Sequence, residues 1–400
     1  MSIRTQLKHH TKCRVCGSYE LKEYIDLGML PLSNNLCKNK DDVPDRFPLK
    51  VLLCEECGLS QLSVVIDPTF LFGNYVYRSS INKGYIAHCN LMAHELKDEY
   101  GFTSDSFHID IAGNDGALLN EFRKVIGGKM LNVDPAKNLV KICEEQNIRI
   151  YTTFWGSYAA AHLLNNNFPK ADIITATNVF AHVDDVNDFL LGIKMILDLT
   201  GVCILEFPYI VDFIERVEFD TIYFEHLSYF GINPIVRMCN NLGMTVMKVE
   251  KKEIHGGTVR VHIGYGAKDP SVKEFLLKEY KYRDISKYEE FAQKAKTTIY
   301  NFIHTIKSIK KIGKTISGFA ASAKGNTLLN CAGITNKEID YIIDETPEKI
   351  GKYSPGTGIP IVPIPKVWTD FVLILSWNFA EEIKDKCIKH GFRGEFILPI

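Results

Sequence analysis

The chain is 400 residues long at 45.4 kDa, more than a single ordinary domain of ~150 residues accounts for. A hydrophobic share of 46% and a charged share of 24% exclude a disordered or fibrous protein. Lysine plus arginine (47) nearly balance aspartate plus glutamate (48), so a net charge of −1 gives no bulk attraction to nucleic acid or an anionic membrane. The opening MSIRTQLKHHTK lacks the apolar core of a signal peptide, and no apolar run approaches the ~18–20 residues of a membrane span. Eleven cysteines, an odd number without an export signal, predict a reducing cytoplasm with thiols as metal ligands or core residues. A cytoplasmic, monomeric protein is expected, with no nucleic-acid or membrane partner.

Residues 1–75 hold two close cysteine pairs, Cys13-x-x-Cys16-Gly17 and Cys54-x-x-Cys57-Gly58. Two thiolates three positions apart grip one tetrahedral ion where the turn leaves its amides facing the sulfurs, and glycine permits that turn. Two such knuckles complete a four-cysteine zinc site with no coordination position open to water, so the metal is structural. The intervening 37 residues exceed the length found in a compact zinc ribbon and must be structured. The remaining cysteines, Cys203 among them, read as core filler.

From 76 to 270, apolar runs at Phe107–Ala112, Met130–Val133, Ile173–Ala176 and Val202–Phe207 alternate with helical patterns at 117–126, 137–146 and 186–198. That alternation predicts a parallel sheet with crossover helices. Thr245–Val249 and Val259–Tyr265, separated by Gly256 and Gly257, predict a hairpin at the sheet edge. The loop after the first strand, Ala112-Gly113-Asn114-Asp115-Gly116, matches neither the dinucleotide fingerprint nor the P-loop. Asp134 ends the second strand 21 residues after Gly113, where a carboxylate accepts hydrogen bonds from a ribose diol. Asn178 ends another strand bordering the same crevice. Gly113, Asn114, Asp115, Asp134 and Asn178 together favour S-adenosylmethionine over a nicotinamide cofactor.

Residues 271–312 predict one or two long surface helices connecting domains. After Gly313 the βα alternation restarts, with strands at Ile316–Ala320, Tyr341–Ile343 and Val372–Leu375 and helices near 324–333 and 379–390. The segment Ala320 to Thr327 follows a strand and opens a helix, so Ser322, Lys324, Asn326 and the local amides are offered to a diphosphate. Asp344, at the next strand end, and Tyr353 frame a nucleoside. The fold class is α/β: a four-cysteine zinc module (1–75), a Rossmann-like domain suited to S-adenosylmethionine (76–270) and a second Rossmann-like α/β domain (271–400).

The doubled CxxCG, the GNDG loop, NVFAHVDD, Tyr223 to Tyr229 (YFEHLSY), HGGTVRV and Ala323 to Asn330 (AKGNTLLN) occur in the order seen in one family. The chain resembles the zinc-containing nucleotide-sugar C-methyltransferases, which methylate C3 of 4-keto-deoxysugars for antibiotics and surface polysaccharides. It departs from them at Ala112, where the loop's first glycine stands in the family, and at Phe224, the first histidine of the usual His-Glu-His. The resemblance implies a substrate site bordered by Tyr77, His182, Tyr223, Glu225 and His226. Abstracting the proton beside a ketone needs a base and a donor for the enolate oxygen. His226 is the natural base; Glu225 either orients it or points elsewhere and supports the loop, since adjacent residues usually diverge; and Tyr223 and Tyr77 are hydroxyl candidates for the ketone oxygen or for the proton relay. An O- or N-methyltransferase acting on a sugar is the nearest alternative. A zinc-bearing nucleic-acid methyltransferase is disfavoured, because no lysine/arginine run flanks the knuckles.

Overall fold

The computed structural model describes residues 7–73, 75, 78–254 and 257–399, so Tyr77, His255 and Gly256 lie outside the described residues. The N-terminal part builds β1 (Lys8–His9), β2 (Leu21–Pro31), β3 (Arg46–Cys54), β4 (Ser60–Leu62) and β5 (Val64–Val65). β2 and β3 pair antiparallel from Leu21 opposite Cys54 to Pro31 opposite Arg46. Along β3 every second residue turns inward, burying Phe47, Leu49, Val51 and Leu53, the period a one-sided sheet requires. This hairpin is the structure that the long stretch between the knuckles demanded.

The central part contains α1 (Pro68–Phe72), α2 (Lys83–Tyr100), β6 (Phe107–Ile111), α3 (Ala117–Val125), β7 (Lys129–Val133), α4 (Val140–Glu145), β8 (Arg149–Tyr151) and α5 (Ser157–Asn165). It continues through β9 (Ala171–Thr177), α6 (Val186–Ile196), β10 (Leu197–Pro208), α7 (Ile210–Glu215), β11 (Ser228–Tyr229), α8 (Ile232–Asn241), β12 (Thr245–Lys252) and β13 (Thr258–Gly264). Seven strands form one sheet in the order β12-β13-β10-β9-β6-β7-β8, parallel except that β13 runs antiparallel to both its neighbours. The predicted hairpin is β12–β13, with β12 at the edge. The strand order reverses between β6 and β9, opening a crevice at their carboxyl ends. β11 joins the other sheet instead, pairing with β4 through Ser228 opposite Gln61 and Tyr229 opposite Ser60.

The C-terminal part holds α9 (Pro270–Glu279), α10 (Ile285–Lys311), β14 (Ile316–Phe319), α11 (Ala323–Ala332), β15 (Ile342–Ile343), β16 (Ile361–Val362), β17 (Phe371–Ile374), α12 (Ala380–Lys389) and β18 (Glu395–Ile397). Its five strands are all parallel, in the order β16-β15-β14-β17-β18, with a second reversal between β14 and β17. α10 is less superficial than its polar sequence predicts. Tyr288, Phe291, Ala295, Phe302 and Ile306 recur at three to seven residues and are buried. Tyr288 meets Tyr24 of β2 at 4.9 Å between ring centroids, and Phe291 meets Phe213 of α7 at 4.6 Å. Each such side chain contributes about 1.5–3 kcal/mol of burial, so α10 works as a spine between the sheets. No helix among the described residues is long and apolar enough to cross a membrane.

Candidate active site and metal centre

The four cysteine sulfurs converge. Cys13 Sγ lies 3.4 Å from Cys57 Sγ and Cys16 Sγ 3.6 Å from Cys54 Sγ, with all four within 4.8 Å of one another. Tetrahedral Zn²⁺ with Zn–S bonds of ~2.3 Å places its sulfurs ~3.8 Å apart, so the set fits that ion. Gly17 and Gly58 take φ values of +74° and +78°, each returning its N–H to the first cysteine carbonyl of its knuckle, which only a residue without Cβ does cheaply.

The Gly-rich loop is shaped by β6 and β7 together. Ala112 and Asn114 adopt φ of +55° and +52°, while Gly113 has no positive φ. Gly113 is required for space: a Cβ there would meet Asp110 Oδ2 at 2.5 Å and Asn132 Oδ1 at 2.7 Å. Asn114 N–H donates to Asp134 Oδ2 (2.9 Å) and Ala136 N–H to Asp134 Oδ1 (2.8 Å), so Asp134 is pinned at the crevice. Asp115 Oδ2 accepts from Ser80, while its Oδ1 is buried with no partner among the described residues. Behind the loop, Thr175 Oγ1 donates to Asp110 Oδ1 (2.7 Å) and accepts from His108 Nε2–H (2.8 Å). Burial, with the neighbouring Asp134, raises Asp110 to about 7, and burial raises Asp134 as well. Three carboxyl groups gathered under one loop favour a ligand that brings positive charge, and the fixed Asp134 suits a diol. Asn178, with φ +55°, closes the crevice by donating its N–H to Glu206 O at 2.8 Å.

Four residues beyond Asn178, the turn Phe180–His182 brings His182 to 5.0 Å from His226 between ring centroids. His226 Nδ1 lies 2.9 Å from the Thr221 carbonyl, which accepts only, so Nδ1 carries the hydrogen. Nε2 therefore presents its lone pair, and the Tyr223 hydroxyl donates to it at 2.7 Å. Burial, reinforced by His182, holds His226 well below the usual imidazole range, and burial holds His182 down to about 4. Burial likewise raises Tyr223 well above the phenol range. The resting pair is a neutral tyrosine hydrogen-bonded to a neutral histidine. Glu225 turns the other way from His226. Its Oε1 accepts from Asn34 Nδ2 (2.9 Å), its Oε2 has no partner among the described residues, and burial raises its carboxyl. Phe224 is 1% exposed and meets Phe47 of β3 edge-on at 5.9 Å, so that position fills the core beneath the hairpin. Tyr77 lies outside the described residues.

At the second strand-order reversal, Ser322 caps α11 by accepting from Gly325 N–H, and Lys324 Nζ sits 4.8 Å over the Trp377 ring. Asp344 accepts from Ala321 and Thr346 amides and pairs with Lys349 at 3.3 Å. Asn326 is committed elsewhere: its Nδ2 donates to Ser33 O (2.6 Å) and its Oδ1 accepts from Ser354 Oγ. The Tyr353 backbone pairs with Cys37, stitching this part to the hairpin tip. Sequence reading missed Asp220, whose Oδ2 accepts from Trp377 Nε1 (2.7 Å), and Glu218 beside it. Each carries a buried oxygen without a partner among the described residues, and Lys324 offsets the burial of both. An acid within EFDTI carries no sequence signal that separates it from a surface acid. It also missed Arg14, buried between two metal ligands and paired with Asp184 at 3.1 Å.

Two family profiles match the chain: one described as "Putative zinc binding domain" over residues 13–72, and the C-methyltransferase C-terminal domain over 253–400. The C-methyltransferase NovU of Streptomyces niveus is 30% identical over 410 aligned residues, spanning 97% of this chain and 95% of that protein. Among solved structures, magnesium protoporphyrin IX methyltransferase from Synechocystis with bound SAH superposes with a TM-score of 0.36 at 11% identity, covering 45% of this chain and 83% of its own. An S-adenosylmethionine-dependent methyltransferase from Clostridium acetobutylicum gives a TM-score of 0.36 at 13% identity, over 46% and 92%.

Proposed function

The chain belongs to the C-methyltransferase family that includes NovU, and from that premise we propose that it methylates C3 of a nucleotide-linked 4-keto-6-deoxyhexose with S-adenosylmethionine as donor. The product is a branched deoxysugar destined for a surface polysaccharide or natural product. The observation that carries this reading is the Tyr223–His226 pair, in which the Thr221 carbonyl leaves Nε2 unprotonated with Tyr223 against it, beside His182 on the turn after the Asn178 strand end. Such a pair accepts a proton from carbon. Methylating an existing hydroxyl or amine has no need of enolisation.

Bound S-adenosylmethionine supplies an electrophilic methyl group on a sulfonium. Gly113 lets the loop close on it, Asp115 Oδ1 offers an unused acceptor and Asp134 holds the ribose. The C3 proton leaves to the Tyr223–His226 pair, passing through the tyrosine oxygen or directly to Nε2, and the pair ends as an imidazolium hydrogen-bonded to a phenol. The enolate carbon forms the new C–C bond as the methyl–sulfur bond breaks. Lys324, with Ser322 at the start of α11, neutralises the diphosphate, while Asp344 and Tyr353 frame the nucleoside side of the crevice. The proposed division into units 1–75, 76–270 and 271–400 assigns metal, donor and nucleotide sugar to one unit each.

The test is exchange. In D₂O without cofactor, the enzyme should wash deuterium into C3 of a 4-keto nucleotide sugar, and adding cofactor should transfer one methyl group to carbon, read by mass spectrometry. Methylation with no exchange at C3 refutes the enolate route.

A further inference from the structure

We propose that Asn34, at the tip of the zinc-module hairpin, is a positioning residue that fixes the Glu225 carboxylate and leaves its second oxygen as the acceptor for a hydroxyl or amino group of the substrate's sugar ring. Asn34 Nδ2 donates to Glu225 Oε1 at 2.9 Å across 191 positions of sequence. Glu225 is 3% exposed, its Oε2 is buried without a partner among the described residues, and the residue lines a small pocket with Ile66, Leu71, Phe72, His182, Phe224 and Leu227. An unpaired carboxylate in such surroundings is costly, so the free oxygen calls for a donor from outside the chain.

The charged and titratable neighbours of Glu225 do not supply that donor. Tyr223 and His226 on its own turn are occupied with each other. On the facing wall, His182 is held neutral by burial and Asp184 is engaged by Lys8, His10 and Arg14. Asn34 is the donor that another element brings to this carboxyl. Its own placement is fixed without help from its side chain. Ser33 O accepts from Asn326 Nδ2, the Cys37 backbone pairs with Tyr353, and the turn bearing Glu225 is tied to the same module where Leu62 N–H donates to Leu227 O at 2.9 Å. Replacing Asn34 by alanine therefore removes one amide without releasing the loop.

The proposal rests on the reading that Glu225 borders the substrate. The experiment is a double-mutant cycle on the full-length zinc-loaded enzyme, using Asn34→Ala, Glu225→Gln and the pair. Asn34→Ala should lower kcat/KM at neutral pH about 10-fold, the size of one hydrogen bond to a charged group. Because the lost donor favoured the ionised carboxyl, the acid limb of kcat/KM should move to higher pH, and further still in Asn34→Asp. Cofactor affinity should match wild type, and Asn34→Ala should cost nothing more in kcat/KM once Glu225 is glutamine. An equal cost in both backgrounds, or an unmoved acid limb, overturns the positioning role. Wild-type kinetics in Glu225→Gln removes Glu225 from the substrate site and the proposal with it, while deuterium exchange at C3 tests the enolate reading separately.

Discussion

In the proposed reaction, His226 owes its readiness as a base to one carbonyl. With Nδ1–H given to Thr221 O, the lone pair on Nε2 is the only one left, and Tyr223 lies against it. Losing a general base costs ~10²–10⁴ in rate, so His226→Asn should slow turnover into that range with cofactor affinity, read by calorimetry, close to wild type. Tyr223→Phe should also slow it, and exchange at C3 separates the roles: retained exchange in one variant and its loss in the other identifies the group that takes the proton. The sign of the pH effect follows from burial. An ordinary histidine gains its proton as pH falls through ~6.5, whereas His226 is held well below that range, so kcat/KM should stay flat through that pH. A limb centred near 6.5 that vanishes in His226→Asn would contradict the buried, neutral base. Asp134 makes a second residue-scale case. Asp134→Ala removes the proposed ribose acceptor and two loop contacts, and should weaken cofactor binding by about 2 kcal/mol. The clustered Tyr223-Phe224-Glu225-His226 was legible in sequence. That Glu225 diverges from His226 was one of two readings open there; the partners that decide it, Asn34 on Glu225 and Phe47 on Phe224, arrive from distant segments and carry no local signal.

Among the elements, those with strong periodicity were read closely: α3, α6, the β12–β13 hairpin, β14, β17 and α12 all fall within a few residues of expectation. α2 was passed over although its buried face, Tyr85, Cys89, Met92, Ala93 and Leu96, keeps a helical spacing. The same helix also carries polar contacts: His88 reaches Glu206 at 2.8 Å, Asn90 reaches Glu121 at 3.0 Å and Glu95 pairs with Arg260. β15 was read at Tyr341–Ile343, whereas β16 is two residues long, too short for any period to register. The Gly-rich loop was legible as a loop, though its logic differs from expectation: the left-handed conformation falls on Ala112 and Asn114, and Gly113 is there because the Asp110 carboxylate and the Asn132 side-chain amide crowd it. Gly113→Ala should therefore push the loop off Asp110 and Asn132 and weaken cofactor binding at least 10-fold. Ala112→Gly, which only relieves a positive φ, should hold or improve stability by up to about 1 kcal/mol. Calorimetric titration and thermal melts check the pair, and wild-type affinity in Gly113→Ala would show that the loop yields.

On the scale of the molecule, the zinc module does more than support itself. From sequence it reads as a self-contained structural unit. In the fold, its sheet takes β11 as an edge strand directly after the His226 turn, and Asn187 Nδ2 donates to the carbonyls of Arg14 and Val15 inside the first knuckle. Asn233 reaches the Cys57 carbonyl, and the Arg14–Asp184 pair ties the knuckle to the segment two residues beyond His182. None of these partners is close in sequence, so nothing local signals them. β2, 11 residues long and so roughly 30 Å, runs from beside the metal to the tip that holds Asn34. The metal thus clamps the base of a lever whose far end borders the site. Purified without chelators, the protein should carry about one zinc per chain by elemental analysis. Cys13→Ser should lower folded yield and melting temperature, since zinc binding in such modules is folding free energy. In the fraction that folds, the loop around Gly113 and Asp134 keeps all its partners, so cofactor affinity should persist, while methyl transfer falls because Arg14, between two of the ligands, loses its anchorage. Methyl transfer per folded molecule equal to wild type would confine the metal to stability alone.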